Sequence, residues 1–563
     1  MAFNLKEEGL IKLTKCKTYS SLVSPIVFTI LYIACNGQRT KSFRRRGGEG
    51  SGIGMNAPAT DQVGNQLFHR VAQPQGRNIL MVDLNNFASF PTLAIGILIA
   101  SLRSVGHSVD LVVPLAYDVP GSTREKPDTL IKHIMRRVHH TTFPGVRWAR
   151  DALRSAYYWK LNRPNATTLR EVERGIDRRP DLVLLSAYLM HYESVVRICA
   201  LAARRGIPVI VGGPALNLAG AAERWRDIPG VTAIYGGEAD ITLPSIVEAT
   251  IAGDDLSNFP GVLTQGGKQM LAAPPLRLLN ESPMPDFSDF PWDRYPVRIL
   301  PIMTGRGCQW GKCVFCSDVV SANGRTFRTR TIDNVMVEVR EQSRRYGVEN
   351  FLFLDLKLNS NPAVFRGIAE GIQDAAPGAQ WIGTVHVDNR ADNGLSRRDL
   401  KAAAVSGMRR ISCGLETGSQ RLLDLMDKGT TVEGNAAFVR NASEAGLSVR
   451  CTMFRGFPSE TAEDLIQTAK FLEDHASFID RIHFNDFSLP EETPIWHAIK
   501  SAKGFYPGIE IIGRDLPNAR ATYRNLDAGG ASYRRAKARV LAAVYAINRR
   551  RLRPEAQMFD GLM

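Results

Sequence analysis

Gly305-Arg306-Gly307-Cys308-Gln309-Trp310-Gly311-Lys312-Cys313-Val314-Phe315-Cys316 places three cysteines within nine residues. The stretch follows an apolar segment at 298–303 that reads as a β-strand. Three thiolates on one short loop can wrap the corner of an iron–sulfur cluster, for which four ligands are usual, and leave one iron open. Gly305, Gly307 and Gly311 permit the tight backbone path. Phe315 would form a wall beside the cluster. Zinc would want a fourth Cys or His nearby, and the next histidine is His386.

Downstream, strands are expected at 298–303, 350–356, 381–387, 409–415, 448–454 and 481–489, with helices in the gaps. Six strand–helix repeats predict a partial (β/α)6 barrel, with the cysteines after its first strand, on the face where barrels place chemistry. Upstream, short apolar strands at 78–83, 109–113, 180–186, 208–214 and 231–238 alternate with helices. That pattern predicts an α/β fold with a doubly wound, flavodoxin-like parallel sheet. Ligands of such sheets bind at the carboxyl ends of the strands, where Ser186, Gly212, Gly213, Gly237 and Glu238 stand. The expected divisions are an extension or leader at 1–76, a first domain at 77–258, a proline-rich linker at 259–297, a barrel core at 298–500 and a small helical C-terminal region at 501–563. A segment at about 120–179, rich in Arg, His and aromatics, reads as a helical insertion.

With 563 residues, the chain has room for two or three domains. Its apolar (44%) and charged (23%) fractions fit a soluble globular protein and exclude a disordered one. Eight cysteines in this length do not make a disulfide scaffold, and their clustering points to a reducing, cytoplasmic setting. The net charge of +15 is spread along the chain, which reads as solvated basic helices, and a nucleic-acid partner is not expected. The apolar run at 22–35 is shorter than the roughly 20 residues a membrane span needs, and no A-x-A cleavage site follows it. Residues 1–76 are expected to be disordered, with 1–54 an upstream extension ahead of a start at Met55, and no stable membrane insertion is expected.

Three further strings lie in order behind the cysteine loop: Gly414-Leu415-Glu416-Thr417-Gly418-Ser419, Met426-Asp427-Lys428-Gly429-Thr430-Thr431 and Gly456-Phe457-Pro458-Ser459-Glu460-Thr461. Together with the loop they resemble the radical S-adenosylmethionine (SAM) enzymes. The family's usual spacing is C-x3-C-x2-C, whereas this chain has C-x4-C-x2-C, a departure also found among cobalamin-binding members. The first unit resembles the cobalamin-binding domain that precedes many radical SAM modules. The D-x-H-x-x-G corrinoid motif is absent, because Asp83-Leu84-Asn85-Asn86-Phe87 stands in its place. A bound corrinoid would therefore be base-off, with no histidine from that loop on cobalt.

The resemblance implies a [4Fe-4S] cluster on Cys308, Cys313 and Cys316, with SAM on its open iron near Asp355, Glu416 and Phe315. It implies cobalamin near Ser186, Gly212, Gly213, Gly237 and Glu238. Asp388 and Arg390 end the third strand as weaker candidates, and His386 reads as a packing residue. The activity implied is reductive cleavage of SAM to a 5′-deoxyadenosyl radical and methylation of an unactivated carbon of an organic metabolite or natural-product precursor. Partners would be a small-molecule or peptide substrate and an electron donor such as flavodoxin or ferredoxin. A cyclase or rearrangement enzyme would share the architecture. A tRNA methylthiotransferase would need a second cluster in the first unit, which offers only Cys199. A corrinoid or redox sensor without turnover is the reading outside the enzymes.

Overall fold

Ile79, Leu80, Met81 and Val82 are all buried, as a strand covered on both faces of a parallel sheet must be. Their alternation decides which layer each joins: Ile79 and Met81 face one core, Leu80 and Val82 the other. The computed structural model describes residues 76–562, apart from 88, 120, 122–125, 162, 268–270, 318–325, 502–505, 507 and 516–517. The leader expected at 1–76, with its apolar run, lies outside the described residues up to 75.

The first sheet contains β1 (Asn78–Asp83), β2 (Ser108–Val112), β3 (Leu182–Ser186), β4 (Val209–Gly212), β5 (Ala233–Tyr235) and β6 (Val262–Thr264), in the order β2-β1-β3-β4-β5-β6. All neighbours are parallel except β6, which runs antiparallel to β5. One face is covered by α1 (Leu93–Ser104). In the insertion, α2 (Leu130–His139), α3 (Pro144–Leu161) and α4 (Ala166–Asp177) follow. The opposite face is covered by α4, α5 (Tyr192–Ala203) and α6 (Ala219–Arg226), while α7 (Leu243–Ala252) packs with α1. The segment expected to be a linker therefore supplies a strand. Val262-Leu263-Thr264 is too short to announce itself by period, and pairing with Tyr235, Ile234 and Ala233 is what makes it one. Further along, Phe287 is fully buried against Gly96 of α1, where an added Cβ would lie 2.4 Å from its ring.

The second sheet begins with β7 (Leu300–Ile302). A two-residue antiparallel pair, β8 (Gly305–Arg306) and β9 (Arg328–Thr329), closes the root of the cysteine loop. Then come β10 (Asn350–Phe353), β11 (Gln380–Val385), β12 (Met408–Glu416), β13 (Ser448–Arg455) and β14 (Arg481–Asp486). The order is β7-β10-β11-β12-β13-β14, all parallel, which is the six-stranded open barrel expected. Its helices are α8 (Ile332–Tyr346), α9 (Pro362–Ala375), α10 (Arg397–Val405), α11 (Gln420–Leu425), α12 (Val432–Glu444) and α13 (Ala462–Asp474). Ser396 with Asp399 and Thr461 with Asp464 form reciprocal caps that start α10 and α13.

The region from 501, expected to be helical, carries α15 (Ala531–Asn548), while α14 (Pro494–Lys500) closes the stretch expected as barrel core. The region also holds β16 (Ile509–Asp515) and β17 (Arg520–Asn525), which form an antiparallel sheet with β15 (Leu489–Pro490) in the order β15-β17-β16. β16 is largely exposed and shows no clean alternation, so its sequence gave little strand signal. No helix among the described residues is long and apolar enough to cross a membrane.

The chain then returns to the barrel. Arg410 of β12 is fully buried and donates to the carbonyls of Phe559 (2.8 Å) and Leu562 (3.3 Å), both of which are buried. Truncation after Arg553 would strip a buried guanidinium of these acceptors and open an apolar hole, costing about 3 kcal/mol or more. A lowered urea midpoint is expected; an unchanged one would refute this role.

Candidate active site

Asp355, just past β10, accepts from Thr304 through both carboxylate oxygens: the backbone N–H at 3.1 Å and Oγ1 at 2.7 Å. This bracing acts on the residue before β8, where the cysteine loop begins. Burial pushes the Asp355 carboxyl up to about 6, against the lowering effect of the Thr304 bonds. Within the loop, Gly307 has φ +85° and an added Cβ would lie 2.0 Å from the Thr326 carbonyl oxygen, so only glycine fits.

The far side of the loop is tied to the string 426–429. Val314 N–H donates to the Met426 carbonyl at 3.0 Å, and Trp310 Nε1–H to the Asp427 carbonyl at 2.7 Å. Gly429, at φ +67°, lets the Trp310 ring lie against the backbone. The same string delivers Lys428, whose Nζ is 2.7 Å from Glu416 Oε1 and 5.9 Å from the Phe315 ring centre. Glu416 ends β12 in the left-handed region (φ +61°), at a register shift against β13. Burial opposes the Lys428 charge, but Glu416, Cys313 and Cys316 outweigh it and hold its pKa above the ordinary lysine value. Burial pushes the Cys313 thiol up to about 11, with Lys428 pulling the other way. All three loop cysteines are partly exposed. Phe315 packs edge-on against Phe454, Phe457 and Phe487 at the ends of β13 and β14.

Asp388 and Arg390 do form part of this rim: Asp388 lies 2.7 Å from Lys357 Nζ and 2.8 Å from Arg390. The two cations hold the Asp388 carboxyl down at about 2 despite the opposing effect of burial. His386 is buried with its ring 3.0 Å from the Lys428 carbonyl, and burial, then Lys428 and Lys357, keep it neutral. It supports the lysine loop, in keeping with a packing role.

The carboxyl ends of the first sheet open onto a cleft of about 1280 Å³, counting its open mouth. Ser186, Gly212, Gly213, Gly237 and Glu238 all line it. So do Phe87, Phe90 and Leu93 from the first domain and Met303, Arg306 and Leu354 from the barrel. Among the described residues, none that lines it is a histidine. Asp83, where the missing motif would stand, turns inward: it accepts from Thr92 (2.5 Å) and Asn85 (2.8 Å), and burial raises it to about 6. Gly213 is needed for packing, since an added Cβ would lie 1.9 Å from the Ala187 carbonyl oxygen.

Glu238 lines the cleft, but its carboxylate is engaged with the barrel. It pairs with Arg328 through both oxygens (2.7 and 2.8 Å) and with Arg306 at 3.1 Å. Asp240 takes Arg306 in a second two-pronged contact (2.5 and 2.9 Å). Arg306 stands two residues before Cys308, so the first domain grips the root of the cysteine loop. Burial opposes ionisation of both acids, but Arg328 and Arg306 hold Glu238, and Arg306 holds Asp240, below the ordinary carboxylate values. Sequence reasoning missed Arg306, Asp240, Arg328, Lys357 and Lys428. Arg306 lay inside the quoted string, flanked by glycines, and that is the one signal it offered.

A second group of ligand-type side chains, His139, His140 and Asp486, meets where the insertion touches the end of β14. Arg455 lies 2.6 Å and Arg154 3.7 Å from Asp486, so two fixed cations already neutralise its charge. A divalent cation would meet net repulsion there, and the group acts as an ion-pair joint.

Residues 302–472 match the model of the radical SAM superfamily. An uncharacterized methyltransferase of Pyrococcus horikoshii is 26% identical over 311 residues, covering 53% of this chain and 66% of that protein. An anaerobic magnesium-protoporphyrin IX monomethyl ester cyclase of Cereibacter sphaeroides is 28% identical over 44% of this chain and 42% of its own length. The chain thus spans under two thirds of either relative. Among solved structures, the cobalamin-dependent SAM radical enzyme OxsB with aqua-cobalamin superposes with a TM-score of 0.61 at 15% identity, over 80% of this chain and 65% of that one. The two chains share a fold.

Two predictions follow from the braces around the loop. In Asp355→Ala, both acceptors facing Thr304 are lost and its buried N–H and hydroxyl are left unpaired, at a cost of about 1–3 kcal/mol. Less iron should be retained after anaerobic reconstitution; full retention would count against the brace. In Glu238→Gln with Asp240→Asn, two carboxylates leave Arg306 and Arg328, at a cost of about 3–5 kcal/mol. Because both acids are depressed in the folded state, their contribution is full above the ordinary values of 4.5 and 3.8 and is lost as pH falls through the lower folded values. The stability gap between wild type and double variant, read from urea unfolding, should be widest near neutrality and shrink on acidification below those values. A gap independent of pH would refute the ionic account.

Proposed function

We propose that this chain, whose residues 302–472 are a radical SAM domain, is a cobalamin-dependent radical SAM methyltransferase acting on an unactivated carbon of a small organic or peptide substrate. The observation that carries the reading is the shared cleft. Met303 and Arg306, at the root of the cysteine loop, line the same space as Ser186, Gly212 and Gly213 at the ends of the first sheet.

The residues suit the groups assigned to them. Cys308, Cys313 and Cys316 offer three thiols on a loop whose backbone is fixed at both ends, with Lys428 placed to balance thiolate charge. The cleft is open at its mouth and has an apolar wall that includes Phe87, Phe90 and Leu93, against which the face of a planar macrocycle could lie. When bound, the cluster supplies the electron for reductive SAM cleavage and the corrinoid supplies methyl transfer.

The protein's own part is positioning. Glu416 and Lys428 present a fixed ion pair beside the loop, where the amino and carboxylate groups of SAM would lie. Phe315 and its three aromatic partners keep water from that side. Asp355 acts on the site by holding the loop root. Glu238 contributes to the corrinoid cleft as a wall whose charge is spent on Arg328 and Arg306, and Ser186, Gly212, Gly213 and Gly237 supply a close backbone floor. A flavodoxin- or ferredoxin-class donor would deliver the electron.

The test is anaerobic reconstitution with iron, sulfide and hydroxocobalamin, followed by SAM and dithionite. Wild type should release 5′-deoxyadenosine. It should also release S-adenosylhomocysteine when a methyl acceptor is present. Cys313→Ala should lose both products by more than about a hundredfold while still binding the corrinoid. Retained SAM cleavage in Cys313→Ala would sink the reading. The likeness to the cyclase supports a second one, in which 5′-deoxyadenosine forms with substrate but no S-adenosylhomocysteine accompanies it.

A further inference from the structure

The helical insertion presents an apolar surface that neither domain covers. Nine of the eighteen large apolar side chains exposed among the described residues fall between 130 and 157. Ile131, Ile134 and Val138 share one face of α2, Phe143 turns the corner, and Val146, Leu153 (70% exposed) and Tyr157 share one face of α3, with Trp148 exposed on another side of that helix. A patch of this kind on a soluble chain marks an interaction surface.

The insertion is firmly seated on its other side. The His133 ring stacks on Tyr545 of α15 at 4.6 Å, and Lys537 Nζ donates to the His140 carbonyl at 2.6 Å. Asp128 N–H donates to the Asn548 carbonyl at 3.0 Å, and His140 meets Asp486 at the carboxyl end of β14. The apolar face is therefore held outward, beside the rim of the barrel that carries the active site.

Charge selects the partner. Between Asp128 and Arg163 the chain has eight Lys and Arg against two Asp and no Glu. Arg137 is exposed next to Val138, whereas the half-buried Lys132 and Arg147 pair with Asp128 (2.8 Å) and Asp151 (3.6 Å), the two acids of the segment. Apolar and aromatic tips interleaved with a net positive surplus are the pattern of helices that lie in the interface of an anionic bilayer, with basic side chains reaching back to the headgroups. We propose that the α2–α3 face is a peripheral docking surface for anionic lipid, and that it sets the open rim of the barrel against the membrane. This holds whether the reaction is methyl transfer or cyclisation.

The experiment is co-sedimentation of the full chain with vesicles of phosphatidylcholine alone or mixed equally with phosphatidylglycerol. Binding to the mixed vesicles, little to phosphatidylcholine, and weakening at high salt are expected. Ile134→Ser with Leu153→Ser, both exposed and outside the catalytic groups, should weaken binding about tenfold while leaving the unfolding curve unchanged. Arg137→Glu should weaken only the component that depends on phosphatidylglycerol. No binding by wild type, equal binding to both vesicles, or unchanged binding by the double variant would overturn the proposal. So would a wild-type dimer that the double variant converts to monomer without wild-type vesicle binding, since the face would then be a protein contact.

Discussion

Arg306 is the residue around which the two halves of the molecule are arranged. Its buried guanidinium is held by Glu238 and Asp240 from the first domain, and Glu238 in turn takes Arg328 from the strand that closes the cysteine loop. A cation this deep is tolerated only with near-ideal pairing, because the desolvation cost is returned only by close carboxylates. Once those pairs form, the loop after β5 and the root of the cysteine loop cannot move independently. The carboxyl ends of the two sheets must then share one cleft.

The remaining braces act on the same loop from other directions. Asp355 holds its first residue, the string 426–429 holds its middle, and Phe315 is set among three aromatic rings. Glu416 and Gly429 sit in left-handed backbone. For Glu416 this is a local cost, accepted where the strand end must turn a carboxylate toward Lys428. Such rigidity suits a site whose chemistry belongs to its cofactors and whose protein must hold reacting groups in register.

Much of this architecture was legible in the chain. The barrel strands were readable from short runs rich in apolar and β-branched residues, of which Phe351–Phe353 is a continuous one, although β12, β13 and β14 also bury Arg410, Arg450 and Arg481. The cysteine spacing is local and survives any tertiary arrangement. The β6 strand was not legible, because three residues, Val262-Leu263-Thr264, are too few to show a period. The β16–β17 hairpin was missed because its first strand faces solvent.

The candidate site divides in the same way. Residue types that declare themselves by local pattern, the cysteines and the glycines at strand ends, were found from sequence. Glu238 was expected at a strand end; β5 stops at Tyr235, and the Glu238 carboxylate serves the joint between domains through Arg306 and Arg328, 68 and 90 positions away. Sequence alone determined the alternation of strands and helices and the three-thiol loop, since both depend on neighbours within a few residues. Only the tertiary structure decided which carboxylate meets which arginine, that two sheets open on one cleft, and that the insertion turns its apolar face outward. Those facts depend on burial and charge pairing between segments far apart in the chain, and neither has a signature in local order.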